Sequence, residues 1–377
     1  MVAILLIIIF ARPFISSLAF PELNFLHSIA LLLVLGARLA KRGIIPAVSK
    51  PLKLSLQLFC LALGISLIFS KDILAGIAEL YKYICAVLLF IVVSRFTPKK
   101  RIDTMRMITL SGLVVSVIAI YQYFFGFQHL ADYMSQHKLN DAFAMDMISR
   151  RRVFFPFVTP NTLAGFLAMV IPLTLALKKR TWLLLPMLAA LLLTKSLGGL
   201  FCLFLSLGLY IYLRGAIDSK KVVFLSGIAL VIGIVLLARL NYPAQHTQPL
   251  FSSLMRWNYW KQSMALIKVS PLVGIGIGNF NLNLSRYAHN SYLQIWAEMG
   301  ILGLAAFLWL AFLSLRECIK SSKPVPGQKR DNLSAGIAAS CTAFLIHNLI
   351  DFSFFLPEVA LIWWVVLGLA ASSVDLQ

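Results

Sequence analysis

The sequence predicts an all-α integral membrane protein with about twelve transmembrane helices, and three observations support this fold class. Of the 377 residues, 60% are hydrophobic and 13% are charged, whereas a soluble domain is about half apolar and a quarter charged. Apolar runs long enough to cross a bilayer, which takes about 20 residues, recur along the chain. Lys and Arg are concentrated in alternate connections between these runs. The composition excludes a soluble enzyme, a disordered tail and a disulfide-stabilised scaffold.

The apolar runs form one polytopic domain over residues 1–377. The first run starts at Val2 and lacks a small-residue cleavage site followed by a polar chain, so we expect a transmembrane helix there and not a cleaved signal. The seventh and eighth runs are short, and they could form one bent hairpin with its tip at residues 194–199. The predicted spans cover residues 2–19, 24–40, 54–70, 77–94, 107–125, 161–177, 182–194, 200–213, 222–238, 290–315, 333–352 and 358–374.

The distribution of positive charge predicts the orientation of these spans. Twenty of the 34 Lys and Arg residues lie in the short connections that follow the second, fourth, sixth, eighth and tenth spans. The opposite connections hold fewer, and most of those lie in two long loops, 126–160 and 239–289, where the positive-inside rule is weak. We therefore expect both termini in the cytoplasm and both long loops outside. This bias, together with arginines suited to phosphate, accounts for the net charge of +20 without a nucleic-acid partner.

The first outer loop ends in three arginines that precede a helix start. Arg150, Arg151 and Arg152 come shortly before the sequence Thr159-Pro160-Asn161-Thr162, whose small oxygen-bearing side chains are typical helix caps. An arginine cluster at a membrane surface can bind lipid headgroups. Clusters of that kind are usually cytoplasmic, so we favour a dedicated anion site here.

The second outer loop contains a predicted amphipathic helix followed by a glycine-rich turn. Apolar residues recur at three- and four-residue steps over residues 254–267, and Arg256, Tyr259 and Trp260 share one helix face. Such a helix should lie in the membrane interface. It could act only as a membrane float, or it could hold Arg256 at the depth of a lipid phosphate. Residues 271–280 resemble a phosphate-binding loop only weakly, and we interpret them as a tight turn back to the membrane.

Two histidines are candidate functional residues. His289 and Asn290 open the tenth span, and His289 could be a reactive group or a hydrogen-bonded interfacial histidine. Glu298 falls on the opposite helix face, so we do not expect it to orient His289. His347 and Asp351, four residues apart on the eleventh predicted span, could pair for packing or as a proton relay.

These segments together resemble the O-antigen ligase superfamily of membrane glycan ligases and polymerases. The resemblance rests on the order, spacing and sidedness of motifs within residues 152–167, 256–276, 289–303 and 347–353. It implies a twelve-helix bundle of the polyprenyl-dependent (GT-C) glycosyltransferase type, with residues 184–315 as the ligase-like core and two longer periplasmic loops. It also implies residence in the bacterial inner membrane and an active site that faces the periplasm.

In this superfamily a glycan passes from undecaprenyl pyrophosphate to an acceptor hydroxyl, such as that of lipid A–core or another glycan, without a metal or other cofactor. The resemblance assigns the catalytic base to His289 and pyrophosphate binding to Arg152 and Arg256. A Ser-Arg-Gly motif of the family is absent, because Leu197 stands where the arginine is expected. Either Lys195 supplies that charge, or the phosphates are contacted differently. The candidate supporting residues are Arg151, Tyr259, Asn290, His347 and Asp351.

Three alternatives remain open from the sequence. A metal-dependent transfer would need converging carboxylates, and Asp132, Asp141 and Asp146 lack the required spacing. Ligase and polymerase use the same donor and differ only in the acceptor. A non-enzymatic transporter of lipid-linked glycans would need charges at mid-membrane, and the pair Glu79 and Lys82 reads more simply as a helix contact.

Overall fold

The computed structural model describes residues 2–43, 48–177, 181–215, 251–283, 285–322 and 331–372, with four isolated positions between 226 and 233. In these residues the chain forms helices joined by turns, and they contain no β-strand. The α-helices are α1 Val2–Ala11, α2 Pro21–Arg42, α3 Lys50–Ile68, α4 Ile73–Val93, α5 Pro98–Tyr121, α6 Phe127–Gln136, α7 Ala142–Arg150, α8 Pro160–Ala176, α9 Leu184–Leu193, α10 Leu197–Arg214, α11 Phe251–Val269, α12 Ser291–Ser322, α13 Asn332–His347 and α14 Pro357–Ala371.

The helices bear out a multi-pass membrane protein. Six helical stretches are long and apolar enough to cross a bilayer: α2, α3, α4, α10, α12 and the stretch that begins with α5. Five shorter apolar helical stretches, containing α1, α8, α9, α13 and α14, coincide with other predicted spans. The predicted span at 222–238 lies almost wholly outside the described residues.

Two helices form the centre of the bundle. Every residue of α14 is buried, and α8 is buried over nearly its whole length, as expected for helices that are apolar on all sides. α13 packs against α8 and α10, α12 packs against α3, and α4 packs against α14. Large apolar side chains such as Leu74 and Phe312, which are 78% and 61% exposed, lie on the outer surface, where lipid would cover them.

Three predicted boundaries are wrong. The first span is helical only to Ala11, followed by a 3-10 turn over Arg12–Phe14, because Pro13 has no N–H to continue the helix. The fifth span begins at Pro98 and continues through a π turn into α6, so the first long loop starts inside a helix. That loop also contains α7. The eleventh span ends at His347, before the predicted boundary at residue 352.

Short polar side chains fix the helix starts near the candidate residues. Thr159 caps α8 by accepting a hydrogen bond from the N–H of Thr162 at 3.1 Å, as the sequence predicts. Ser196 caps α10 in the same way. The Oδ1 of Asn290 accepts from the N–H groups of Tyr292 and Leu293 at 3.0 and 3.1 Å, which starts α12. The supporting residue Asn290 therefore sets the direction of the chain directly after His289.

The glycine-rich turn fits into a break in α12. Gly300 has φ 67° and ψ −178°, so α12 consists of two helical segments. The N–H of Ile275 donates to the carbonyl of Ala297 at 2.8 Å, and the N–H of Ile301 donates to the carbonyl of Pro271 at 2.9 Å. The backbone of the turn thus satisfies groups that the broken helix leaves free. The predicted tight turn is confirmed, whereas the break was not predicted.

Replacing Gly300 with alanine is expected to destabilise the protein strongly. This backbone conformation is essentially restricted to glycine and costs other residues about 1–3 kcal/mol. A Cβ at Gly300 would also overlap the carbonyl of Leu272. The fraction of folded, monodisperse protein after graded heating in detergent should fall at a lower temperature than for the wild type. Gly64→Ala on α3, where no atom lies within 4 Å of the new methyl group, is the matched control and should behave as the wild type.

Candidate functional site

The candidate residues form two clusters. The cationic cluster comprises Arg151, Arg152 and Lys195, at the start of α8 and at the tip between α9 and α10. The histidine cluster comprises Arg256, His289, His347 and Asp351, contributed by α11, the start of α12 and the end of α13.

Arg152 ties the start of α8 to the α9–α10 tip. Its Nε donates to the carbonyl of Thr194 at 3.0 Å, and its Nη2 donates to Oδ1 of Asn161 at 3.4 Å. The same amide oxygen accepts from the hydroxyl of Ser196 at 2.9 Å. The guanidinium is therefore held in place by hydrogen bonds to neutral groups of α8 and of the α9–α10 tip.

The other two cations lie close to Arg152. Nζ of Lys195 donates to the carbonyl of Arg150 at 2.6 Å, and Arg151 donates to the carbonyl of Tyr123 at 3.0 Å. Desolvation lowers the pKa of Lys195, and the charges of Arg152 and Arg151 lower it further. Because the three positive charges repel one another, a bound anion would stabilise the cluster. Arg150 differs, because its Nε pairs with Asp146 at 2.7 Å.

The backbone is strained at three candidate residues. Arg151, Lys195 and His289 have φ values of 47°, 51° and 52°, in the left-handed region that side-chain-bearing residues rarely adopt. Within the described part of the chain, the only other such residue that is not glycine is Lys138. Strain of this kind concentrates at functional sites.

His289 lies between aromatic rings. Its imidazole stacks on Tyr259 of α11 with centroids 5.3 Å apart and planes 19° apart, and it meets the ring of Phe352 edge-on at 4.7 Å. Burial lowers its pKa to about 4; Arg256 lowers it as well, and the Asp351 carboxylate opposes both. The imidazole is therefore neutral near pH 7. The helix predicted over residues 254–267 is present within α11, and it carries both Tyr259 and Arg256.

His347 and Asp351 pair, although not on one helix as predicted. Nδ1 of His347 lies 3.5 Å from Oδ2 of Asp351, but α13 ends at His347 and Asp351 lies in the following turn. Asn348 explains the turn, because its Oδ1 accepts from the hydroxyl of Ser291 at 2.6 Å and from the N–H of Phe354 at 2.9 Å. These bonds replace those of another helical turn and join this segment to the start of α12.

The first turns of α8 connect the two clusters. A Cβ at Gly165 would lie 2.5 Å from Nδ1 of His347, so the imidazole packs directly on the helix backbone. Asn161, which binds Arg152, precedes Gly165 by four residues, a rise of about 6 Å. The proposed base His289 and the proposed phosphate ligands Arg152 and Arg256 therefore lie in two neighbouring clusters and not in one.

Glu298 does not contact His289, in agreement with the sequence argument. Its carboxylate accepts from Nε2 of Gln294 at 3.0 Å and from the N–H of Gly278 at 3.3 Å. Among the described residues, no group of three or more His, Cys, Asp and Glu side chains is arranged to hold a metal ion.

Sequence reasoning missed Asn348, Phe352 and Gly165 as parts of the site. Asn348 adjoins His347 in the sequence, and a buried amide beside a candidate histidine was the only available signal. Phe352 contacts His289, and Gly165 contacts His347. Both contacts join residues distant in the chain, which the sequence pattern does not predict.

A comparison with known protein families matches a segment of the chain. Residues 182–308 match the family model described as O-antigen ligase. No curated protein sequence is significantly similar to the chain. The matched segment covers about a third of the chain and includes Lys195, Arg256 and His289. Over residues 182–308, therefore, the chain is similar to the O-antigen ligase family, as the motifs of the wider sequence indicate.

Proposed function

We propose that the protein transfers a glycan from undecaprenyl pyrophosphate to an acceptor hydroxyl at the outer face of the bacterial inner membrane. The observation that carries the proposal is a partly buried, neutral His289 near Arg256, in a segment similar to O-antigen ligases. The proposed architecture is a GT-C-type bundle of twelve spans with both termini in the cytoplasm. The residue 182–308 match and the eleven apolar helical stretches support it.

Arginines would stabilise the leaving group. As the glycosidic C–O bond breaks, negative charge builds on the pyrophosphate, and fixed donors at such a charge are usually the largest catalytic contribution. The planar guanidinium of Arg152 or Arg256 can donate two parallel hydrogen bonds to phosphate oxygens. Lys195 precedes Leu197 by two residues and adds a positive charge where the family arginine is missing.

His289 would act as the base. Its neutral imidazole takes the proton of the acceptor hydroxyl as the oxygen attacks the anomeric carbon, and the undecaprenyl pyrophosphate departs from the opposite side. Attack opposite the leaving group inverts the anomeric centre. Tyr259 and Phe352 hold the ring in position, and Arg256 helps to keep it uncharged.

A transporter of lipid-linked glycans is the second candidate, because α12 is discontinuous beside a buried carboxylate. Three observations weigh against it. Glu298 is satisfied by Gln294 and Gly278, and the break is filled by the backbone of the glycine-rich turn and not by a substrate path. Glu79 and Lys82 pair with each other at 2.5 Å.

The test is to incubate the purified protein with an undecaprenyl-pyrophosphate oligosaccharide and candidate acceptors, and to measure product masses. A transferase yields a new covalent product, whose mass distinguishes one transferred glycan on a lipid A–core acceptor from a lengthened polymer. Movement of the donor across vesicles without such a product would establish the transporter instead.

The pH dependence of transfer should report the low pKa of His289. Because the base form persists down to about pH 5 and is lost as the pH falls through 4, kcat/KM should stay level from about pH 7 to about pH 5 and then decline with an apparent pKa near 4. Initial rates at constant ionic strength would show this, with recovery of activity at pH 7 excluding unfolding. A decline in kcat/KM centred near pH 6.5 would contradict a lowered pKa of His289.

A further inference from the structure

Arg101 lies in the first turn of α5, at the end of the bundle that carries the dense Lys and Arg connections and is predicted to face the cytoplasm. Its side chain is only 5% exposed. A long side chain on a helix leans toward the N-terminus, so the guanidinium lies near the start of α5. Thr97 makes no side-chain capping bond there, and Pro98 has no N–H.

The guanidinium of Arg101 lacks the partners that burial requires. Nε and Nη2 are both buried without a hydrogen-bond partner. Leaving a buried charged donor unmet costs more than an ordinary hydrogen bond contributes, so native proteins rarely tolerate it. Nε and Nη2 share one edge of the guanidinium, from which two parallel N–H bonds can hold two oxygens of one anion.

Asp331 is the described carboxylate that could be expected to pair with Arg101. Asp331 is the N-cap of α13, at the end of the bundle that is predicted to face the cytoplasm, as is the start of α5. However, Oδ1 of Asp331 accepts from the N–H of Leu333 at 2.9 Å, and Oδ2 accepts from the hydroxyl of Ser334 at 2.6 Å. Asp331 thus caps α13, and no ion pair joins it to Arg101 within the described residues.

We propose that Arg101 binds the phosphate of an anionic phospholipid headgroup in the inner leaflet, held by the Nε–Nη2 edge. Phosphate is the anion found at this depth of a bilayer, and its geometry suits a guanidinium edge. Lys99 lies exposed in the same helical turn and is not part of the proposed Nε–Nη2 site. The site lies at the end of the bundle opposite the predicted outer face and does not depend on the proposed transfer reaction.

The test is to titrate the delipidated protein with phosphatidylglycerol and to measure binding of the first lipid by native mass spectrometry. Arg101→Gln should weaken this binding at least about tenfold, the loss expected for charge-assisted hydrogen bonds. Lys99→Gln removes the same charge two residues away and should change it less than about twofold. Arg101→Lys keeps the positive charge but removes the two parallel N–H donors of the guanidinium edge. If the glutamine variant fails to fold, the lysine variant should still bind the first phosphatidylglycerol clearly more weakly than the wild type.

Two further measurements distinguish a lipid headgroup from a free phosphate as the bound anion. Phosphatidylcholine should bind more weakly than phosphatidylglycerol, and inorganic phosphate should not compete with it if a lipid is the ligand. Competition by inorganic phosphate that is lost in Arg101→Gln would show that the site binds a free phosphate and not a lipid.

Two results would overturn the site. The first is an equal loss of lipid binding in Arg101→Gln and Lys99→Gln. The second is a double-mutant cycle in lipid-free detergent that shows Arg101 and Asp331 to be coupled to each other.

Discussion

Replacing His289 with alanine is expected to lower the rate of glycan transfer by about 10²–10⁴-fold, because a positioned base contributes about that factor. His289→Gln should show a similar loss, since the amide keeps much of the side-chain size but cannot take the proton. The measurement is the initial rate of product formation by purified protein at saturating donor.

Protein level and membrane insertion should be unchanged in both variants, which excludes misfolding as the cause. His137→Ala is the matched control, because this histidine is exposed just after α6 and its ring lies against Tyr133. It should transfer glycan at the wild-type rate. Full activity in His289→Gln would show that another group removes the proton.

Replacing Arg256 with lysine should lower turnover by about 10²–10³-fold, the range measured when one fixed donor to a developing charge is lost. Lysine keeps a point charge but loses the planar fork that holds two phosphate oxygens. Arg152→Lys should behave similarly and should also release the bonds to Thr194 and Asn161. Steady-state kinetics with a defined lipid-pyrophosphate donor would measure both effects.

Arg150→Lys is the control for these two variants. It makes the same substitution in the outer loop that carries Arg152, but Arg150 is paired with Asp146 and should not contact the donor. Near-normal turnover is expected. If all three lysine variants behaved alike, the outer loops would contribute only general positive charge, and the assignment of Arg152 and Arg256 to the pyrophosphate would be wrong.

Much of the fold follows from local sequence. Apolar length predicts the spans, and the three- and four-residue spacing of apolar residues predicts α11. The break at Gly300 could not be predicted, because its conformation is set by backbone bonds to residues 271–276, which are more than twenty positions upstream. The turn after His347 depends likewise on Ser291 and Phe354, which satisfy Asn348.

The sequence singles out several candidate residues one by one, but it does not predict their arrangement. His289, Arg256 and Arg152 stand out because each is a polar residue beside a membrane-spanning segment. They lie in two clusters joined through α8, where His347 packs on Gly165. Packing between two helices of this kind cannot be predicted from the periodicity of the sequence. The aromatic rings around His289 are likewise contributed by α11 and by the turn after α13.

The central claim is that the two clusters bind one donor molecule. The most direct measurement is a cryo-electron-microscopy structure of His289→Gln with an undecaprenyl-pyrophosphate glycan bound. We predict that pyrophosphate oxygens lie within hydrogen-bond distance of the guanidinium groups of Arg152 and Arg256, with the anomeric carbon facing the side chain at position 289. A pyrophosphate bound at a different place, with neither arginine in contact, would contradict the account.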